Sequence, residues 1–314
     1  MRIGILDDYL DIVTSSADWS LLPADMTVEV FREHIKPDRV AAVLGGFDVL
    51  VATRERMAFP KATVDQLPNL KLLITTGRNN KSFDMAALRA RGVVVCGTPN
   101  YNASTLELTW ALILGLAKHI PLNDRTLHDG GWQAALGRSL CGSTLGVVGL
   151  GRIGTGTSTV GKTFGMEVIA WSPNLTPERA AAGGARYATK KELFATSDVV
   201  AVHMALGPRT VDLISHDDFA VMKPTAFIVN TSRGPLINEA ALLDALTRGL
   251  IGGAGLDVFW EEPLARNHPI RSAPNVLMTG HMGYNTIENA KMAYPAVVDD
   301  ILAWRAGAPI RLVE

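Results

Sequence analysis

Two cysteines in 314 residues, Cys96 and Cys141, are too few and too far apart for a disulfide framework or a metal-ligand spacing. Reduced thiols in a cytosolic protein without a metal are therefore expected. Excess charge of either sign is also missing: 30 basic and 31 acidic side chains give a net charge of −1, which argues against nucleic acid or an anionic membrane as a partner. The amino terminus "MRIGILDDYL" has no basic region leading into an apolar stretch, so no signal peptide is expected. The longest uncharged apolar run, "WALILGLA" at 110–117, falls far short of the ~20 residues of a membrane span. No fixed-period repeat or low-complexity tract is visible. These absences leave a cytoplasmic globular protein acting on something small.

What is present is alternation. Short apolar runs at 2–6, 27–31, 48–52, 71–75 and 93–96 are separated by helix-period segments such as 84–91. A second series follows at 144–149, 167–171, 197–202, 225–229, 251–256 and 275–279. Strands alternating with helices predict βαβ units and parallel sheets. The length exceeds that of one typical domain, so the two series predict an α/β protein of two doubly wound, Rossmann-like domains. A long apolar-striped helix over 102–119, closed by Pro121, joins them, and 286–306 is helical in period despite Pro295. If that last helix returns to the first sheet, one domain is discontinuous, 1–100 plus 286–314, and the other spans 101–285. Two chain crossings would then leave a cleft at the hinge, near the carboxyl ends of the strands where ligands of such folds bind.

The motif "TLGVVGLGRIG" at 144–154 places Gly149, Gly151 and Gly154 in G-x-G-x-x-G spacing directly after an apolar strand. The first glycine permits a tight turn, the second admits a pyrophosphate, and the third lets the next helix lie close to the sheet with its amide end toward the anion. A dinucleotide is the expected cofactor. The following "TGTSTVG" at 155–161 is a weak helix former, so that helix is expected to form through packing with a distorted first turn. One feature of a typical dinucleotide site is missing. The next strand ends in "VIAWSPNL", which offers the adenosine ribose Ser172, Pro173 and Asn174 in place of an Asp or Glu. The nearest cation, Arg179, lies inside the next helical segment. Neither repulsion nor strong attraction of a 2′-phosphate follows, so NAD is expected and NADP is admitted.

Three polar clusters lie just beyond successive strands: Arg233 in "VNTSRG", Asp257 and Glu262 in "GLDVFWEEP", and His281 in "TGHMG". Taken singly, each has a bland explanation in a surface arginine, a helix cap or a satisfied histidine. Delivered together to one sheet edge, they suit acid/base chemistry on a carboxylate: arginine holds a carboxylate through two parallel hydrogen bonds, and a glutamate beside a histidine favours its protonated form.

These stretches, with "FGMEVIAW", "FAVMKPTAFIVNTSRGPLINEAALLDAL" and "HPIRSAPNVLMTGHMGYNT", resemble in order the successive motifs of the D-isomer-specific 2-hydroxyacid dehydrogenases over nearly the whole chain. The resemblance implies hydride transfer between a nicotinamide and a 2-keto or 2-hydroxy acid such as glyoxylate, hydroxypyruvate or a larger keto acid. It implies that Arg233 binds the substrate carboxylate, that His281 exchanges the proton, and that Glu262 orients and charges that imidazole. Asp257 would accept from the nicotinamide carboxamide, Arg152 and Ile153 would present amides to the pyrophosphate, and Ser172, Asn174 and Thr231 would line the cofactor site. In the small domain Arg54, Gly77, Arg78 and Asn79 would meet substrate. The segment 119–133, "HIPLNDRTLHDGGWQ", resembles the family's dimerising segment and implies a homodimer with Trp132 near the interface. Departures from the family pattern fall in "TTGRNNKSFD" at 75–84, where Asn79 replaces a glycine, and at Gly280, which replaces a proline before the histidine. Two alternatives stay open: a non-catalytic NAD(H)-sensing scaffold of the same fold, and a formate-dehydrogenase-like enzyme, which the Glu262 partner of the histidine disfavours.

Overall fold

The computed structural model describes residues 1–101 and 103–314, and the chain divides into two units, Met1–Tyr101 with Asn285–Glu314, and Asn102–Tyr284. The first unit holds β1 (Arg2–Ile5), β2 (Thr27–Val30), β3 (Val49–Ala52), β4 (Leu72–Thr75) and β5 (Val94–Gly97), all parallel, in the order β2-β1-β3-β4-β5. The period-2 alternation of these strands builds two separate cores. Leu50, Ala52, Leu73 and Val95 point to one face with Phe47, Phe59 and Leu88. Val49, Val51, Leu72, Ile74 and Cys96 point to the other, where Tyr294, Val297, Val298 and Ile301 cover them. Those last four come from the helix Ile287–Arg305, so the chain returns to this unit because one sheet face would otherwise stay wet. Pro295 inside that helix costs roughly 3 kcal/mol. Burying four large side chains, at roughly 1.5–3 kcal/mol each, outweighs it.

The second unit has seven parallel strands: β6 (Thr144–Val148), β7 (Glu167–Trp171), β8 (Arg186–Tyr187), β9 (Val199–Val202), β10 (Phe227–Asn230), β11 (Gly253–Leu256) and β12 (Val276–Met278). Their order is β12-β11-β10-β9-β6-β7-β8. The helix Ser104–Ala117 packs Trp110, Leu112, Ile113 and Leu116 against Leu145, Val147, Val168 and Val229, and the helix Glu239–Thr247 covers the opposite face. The expectation of two parallel doubly wound sheets holds. β8 was not anticipated, because two residues carry no alternation to read.

Two helical expectations need correcting. The helix expected over 102–119 ends at Ala117, and its first residue lies outside the described residues. His119 then turns left-handed, at φ 50°, and Pro121 opens a second helix, Ile120–His128, instead of closing the first. Proline suits a first helical turn, where its missing N–H has no partner to lose. The helix after the glycine turn, Arg152–Thr163, has no distorted first turn. Its hydroxyls bond back along the helix, Thr157 to the Ile153 carbonyl at 3.0 Å and Ser158 to the Gly154 carbonyl at 2.8 Å, and both side chains are buried.

Candidate active site

The glycine turn is shaped by contacts that only glycine allows. Gly149 adopts φ 96°, and a Cβ there would stand 2.7 Å from the His203 carbonyl oxygen. A Cβ on Gly154 would collide with the Gly149 carbonyl, so the helix start sits directly on the turn. Gly151 is the opposite case: a Cβ added there meets nothing within 4 Å. Gly151 is also the N-cap of Arg152–Thr163, with no side-chain cap and no acidic residue in the first turn. The opening amides, those of Arg152, Ile153 and Gly154, therefore lack intrahelical partners beside open space, which is the chemistry of a pyrophosphate cradle. These residues fit a dinucleotide. Sequence reasoning missed His203, whose Nε2 lies 3.0 Å from the Thr157 hydroxyl beneath the turn. Burial pushes its imidazole down to about 4, so it is neutral and structural there.

At the end of β7, Ser172 is partly buried and Asn174 exposed. Arg179 folds back from the helix Pro177–Ala182 and donates from Nη1 to the Asn174 carbonyl at 3.0 Å. The cation thus sits beside the strand end, although the sequence places it inside the next helix.

Beyond β10, Asn230 closes the turn that carries Arg233: its Nδ2 donates to the Arg233 carbonyl at 2.9 Å and its Oδ1 accepts from the Ser232 amide at 3.0 Å. Thr231 is buried, its hydroxyl 2.8 Å from that of Thr109. Gly234 lies so close to the Phe259–Trp260 backbone that any Cβ would overlap it, which fixes the Arg233 turn against the segment after β11. That segment holds Glu262. Its Oε1 accepts from the Phe259 amide at 2.8 Å, and its Oε2 pairs with His281 Nδ1 at 2.5 Å. Burial pushes the Glu262 carboxyl up, but the hydrogen bond and charge of His281, the Phe259 amide and the Arg233 charge together hold it below the usual carboxylate range. The carboxylate is ionised and aimed at the ring. His281 is a left-handed residue, φ 52°, a conformation that costs a non-glycine roughly 1–2 kcal/mol. Asp257, 1% exposed, accepts from the Thr279 hydroxyl at 2.6 Å and from the amides of Met282 and Gly283 at 2.7 and 2.9 Å. Three neighbouring strands, β10, β11 and β12, thus bring Arg233, Glu262 and His281 to one sheet edge. Among the described residues no group of three or more His, Cys, Asp or Glu side chains is placed to hold a metal ion.

In the first unit, the turn after β4 is held by Asn80, a residue sequence reasoning passed over. Its Nδ2 donates to the Arg54 carbonyl at 2.5 Å and to the Thr75 hydroxyl at 3.1 Å, and its Oδ1 accepts from the Ser82 amide and hydroxyl. Arg54, at φ 53°, lays its guanidinium on the Cα of Gly77 and pairs with Glu55 at 3.6 Å. Arg56 donates to the Asp7 carbonyl at 2.6 Å and lies over the Tyr9 ring. Arg78, Asn79 and Lys81 are exposed.

Residues 110–283 match the family model described as D-isomer specific 2-hydroxyacid dehydrogenase, NAD binding domain. The chain is 29% identical to a hydroxypyruvate reductase of Blautia hydrogenotrophica over 100% of both chains. It is 34% identical to a glyoxylate reductase of Aeropyrum pernix, over 80% of this chain and 78% of that one. It spans about half the length of several curated phosphoglycerate dehydrogenases that it also matches. Among solved structures, a phosphoglycerate oxidoreductase from Vibrio cholerae O395 superposes with a TM-score of 0.91 at 32% identity, covering 98% of this chain and 100% of that one.

Proposed function

The chain belongs to the D-isomer specific 2-hydroxyacid dehydrogenases, and from that membership we propose that it reduces a small 2-keto acid to the D-2-hydroxy acid with NADH. The observation that carries the reading is the 2.5 Å contact between His281 Nδ1 and the ionised Glu262, beside Arg233. Gly149, Gly151, Arg152, Ile153, Gly154, Ser172, Asn174 and Thr231 hold the cofactor, which when bound supplies the hydride. Arg233 binds the substrate carboxylate and polarises the adjacent carbonyl. Glu262 engages Nδ1 and leaves Nε2 to donate the proton to the oxygen that becomes the hydroxyl. Fixed charges of this kind stabilise a developing alkoxide without reorganising.

Arg54, Gly77, Arg78 and Asn79 on the first unit are substrate-binding groups in this reading. Arg54 pairs with Glu55, Arg56 bonds the Asp7 carbonyl, and Arg78 and Lys81 are exposed; hydroxypyruvate and glyoxylate, the acids named for relatives of this chain, are the proposed substrates. The active species is a homodimer, joined through the exposed apolar residues around Trp132.

The test is oxidation of NADH with a panel of 2-keto acids. Turnover of hydroxypyruvate or glyoxylate is expected, with near-abolition in His281→Ala while NADH still binds. Glu262→Gln removes the negative charge beside the ring, so the alkaline limb of the pH profile should move to lower pH. NADH binding with no turnover of any keto acid would instead mark a sensing scaffold, and an unmoved profile in Glu262→Gln would rule out the Glu–His pairing.

A further inference from the structure

We propose that Asp257 is the positioning residue of His281: it clamps the loop 279–283 so that the imidazole points at Glu262. The proposal rests on His281 being the proton donor. The loop leaves β12, an edge strand whose residues are only partly buried. It contains a left-handed histidine preceded by Gly280, where an added Cβ would meet nothing within 4 Å. Glycine is the residue with most backbone freedom, so the position before His281 supplies no restraint of its own. A strained residue persists only where its surroundings over-determine it.

Asp257 supplies that determination. Its own amide is fixed by the Asn230 carbonyl at 3.0 Å, beside the β10–β11 ladder. Its carbonyl accepts from the His281 amide at 2.7 Å. Its Oδ1 accepts from the Thr279 hydroxyl and the Met282 amide, and its Oδ2 from the Gly283 amide. Every residue of the loop except Gly280 is therefore bonded to Asp257. On the far side, the Thr105 hydroxyl donates to the Gly283 carbonyl at 2.8 Å, closing the loop's end. A carboxylate offers about four acceptor sites, and three are spent on this loop. About one acceptor site is left, enough for one N–H of the nicotinamide carboxamide, the partner that family resemblance gives this residue. Charge-assisted bonds of this kind are short and strong, and they serve here to aim a catalytic ring.

The decisive variant is Thr279→Val, which removes one of these bonds while leaving the carboxylate intact. We expect kcat for keto-acid reduction to fall about tenfold, the loss of one hydrogen bond to a charged acceptor. The alkaline limb should move to lower pH, as in Glu262→Gln, and the Kd for NADH, read by fluorescence, should not change. Asp257→Asn should act in the same direction and more strongly, about a hundredfold in kcat, since its amide group faces backbone donors. If Thr279→Val leaves kcat and the profile at wild-type values while Asp257→Asn weakens NADH binding, Asp257 serves the cofactor and the proposal is overturned. Failure of the underlying reading is separately visible: His281→Ala would then retain turnover whatever the Asp257 and Thr279 variants do.

Discussion

Asn174 and Arg179 stand where the proposed cofactor site would tell NADH from NADPH. No carboxylate stands at the end of β7, so nothing repels a 2′-phosphate, and the Arg179 guanidinium lies against the Asn174 carbonyl. Both side chains are exposed, which keeps the attraction modest. NADH is therefore expected to be preferred only weakly over NADPH. Asn174→Asp should sharpen that preference by placing a carboxylate where the ribose hydroxyls bind. Arg179→Ala should leave the KM for NADH unchanged and raise the KM for NADPH about tenfold, roughly one exposed charge-assisted contact. Steady-state kinetics with both cofactors decides it; an unchanged KM for NADPH would remove Arg179 from the site. The missing carboxylate is plain in "WSPNL", but the position of Arg179 is not. Whether an arginine five residues on reaches back depends on where its helix starts, and Thr176, whose hydroxyl accepts from the Arg179 amide, sets that start.

At the scale of an element, the helix Ile287–Arg305 carries a group that its apolar pattern hides. Asp300 is fully buried, with Oδ1 accepting from Arg311 Nε at 2.9 Å and Oδ2 without a hydrogen-bond partner among the described residues. Arg311 in turn donates to the Ala296 carbonyl at 2.8 Å, and its own carbonyl accepts from the Gly97 amide at 2.9 Å, which pins the last residues along β5. Burial pushes the Asp300 carboxyl up to about 7, against the opposing charge and hydrogen bond of Arg311. Between about pH 4 and 7 the folded state then keeps a proton that the unfolded state has released, so stability falls as pH rises through that window. Asp300→Asn keeps an acceptor for Arg311 and removes the titration. Relative to wild type, the variant should gain stability from pH 5 to pH 8 in urea unfolding. Parallel pH dependences would mean that Asp300 ionises without cost. Sequence periodicity placed this helix despite Pro295, yet it gave no sign that one of its acids faces the sheet.

For the whole molecule, the apolar surface on the second unit bears on assembly. Ile120, Leu122 and Leu127 on the helix Ile120–His128 are exposed, with Trp132 at 73% and Leu136 at 94% in the segment that follows. Five such side chains within seventeen residues of sequence suit a surface that another chain covers. A second copy of the chain is the occupant proposed above. Sedimentation at micromolar concentration should give a dimer, and Leu136→Glu should shift it toward monomer. A wild-type monomer would dispose of the proposal. Among the described residues, no helix is long and apolar enough to cross a membrane.

By itself the sequence determined what depends on local pattern. Strand alternation, the G-x-G-x-x-G spacing and the placing of Arg233, Glu262 and His281 just past strands follow from periods of a few residues, and these produced two parallel sheets and the list of candidate groups. Tertiary structure decided the rest, because it depends on which strands become neighbours. The order β12-β11-β10 brings the histidine, the glutamate and the arginine to one edge. The same order lays Asp257 under the histidine loop, where it accepts hydrogen bonds from residues 279, 281, 282 and 283. Asn80, His203 and Asp300 went unnoticed for the same reason: a buried polar side chain has meaning only through partners distant in sequence, and those partners are supplied by folding.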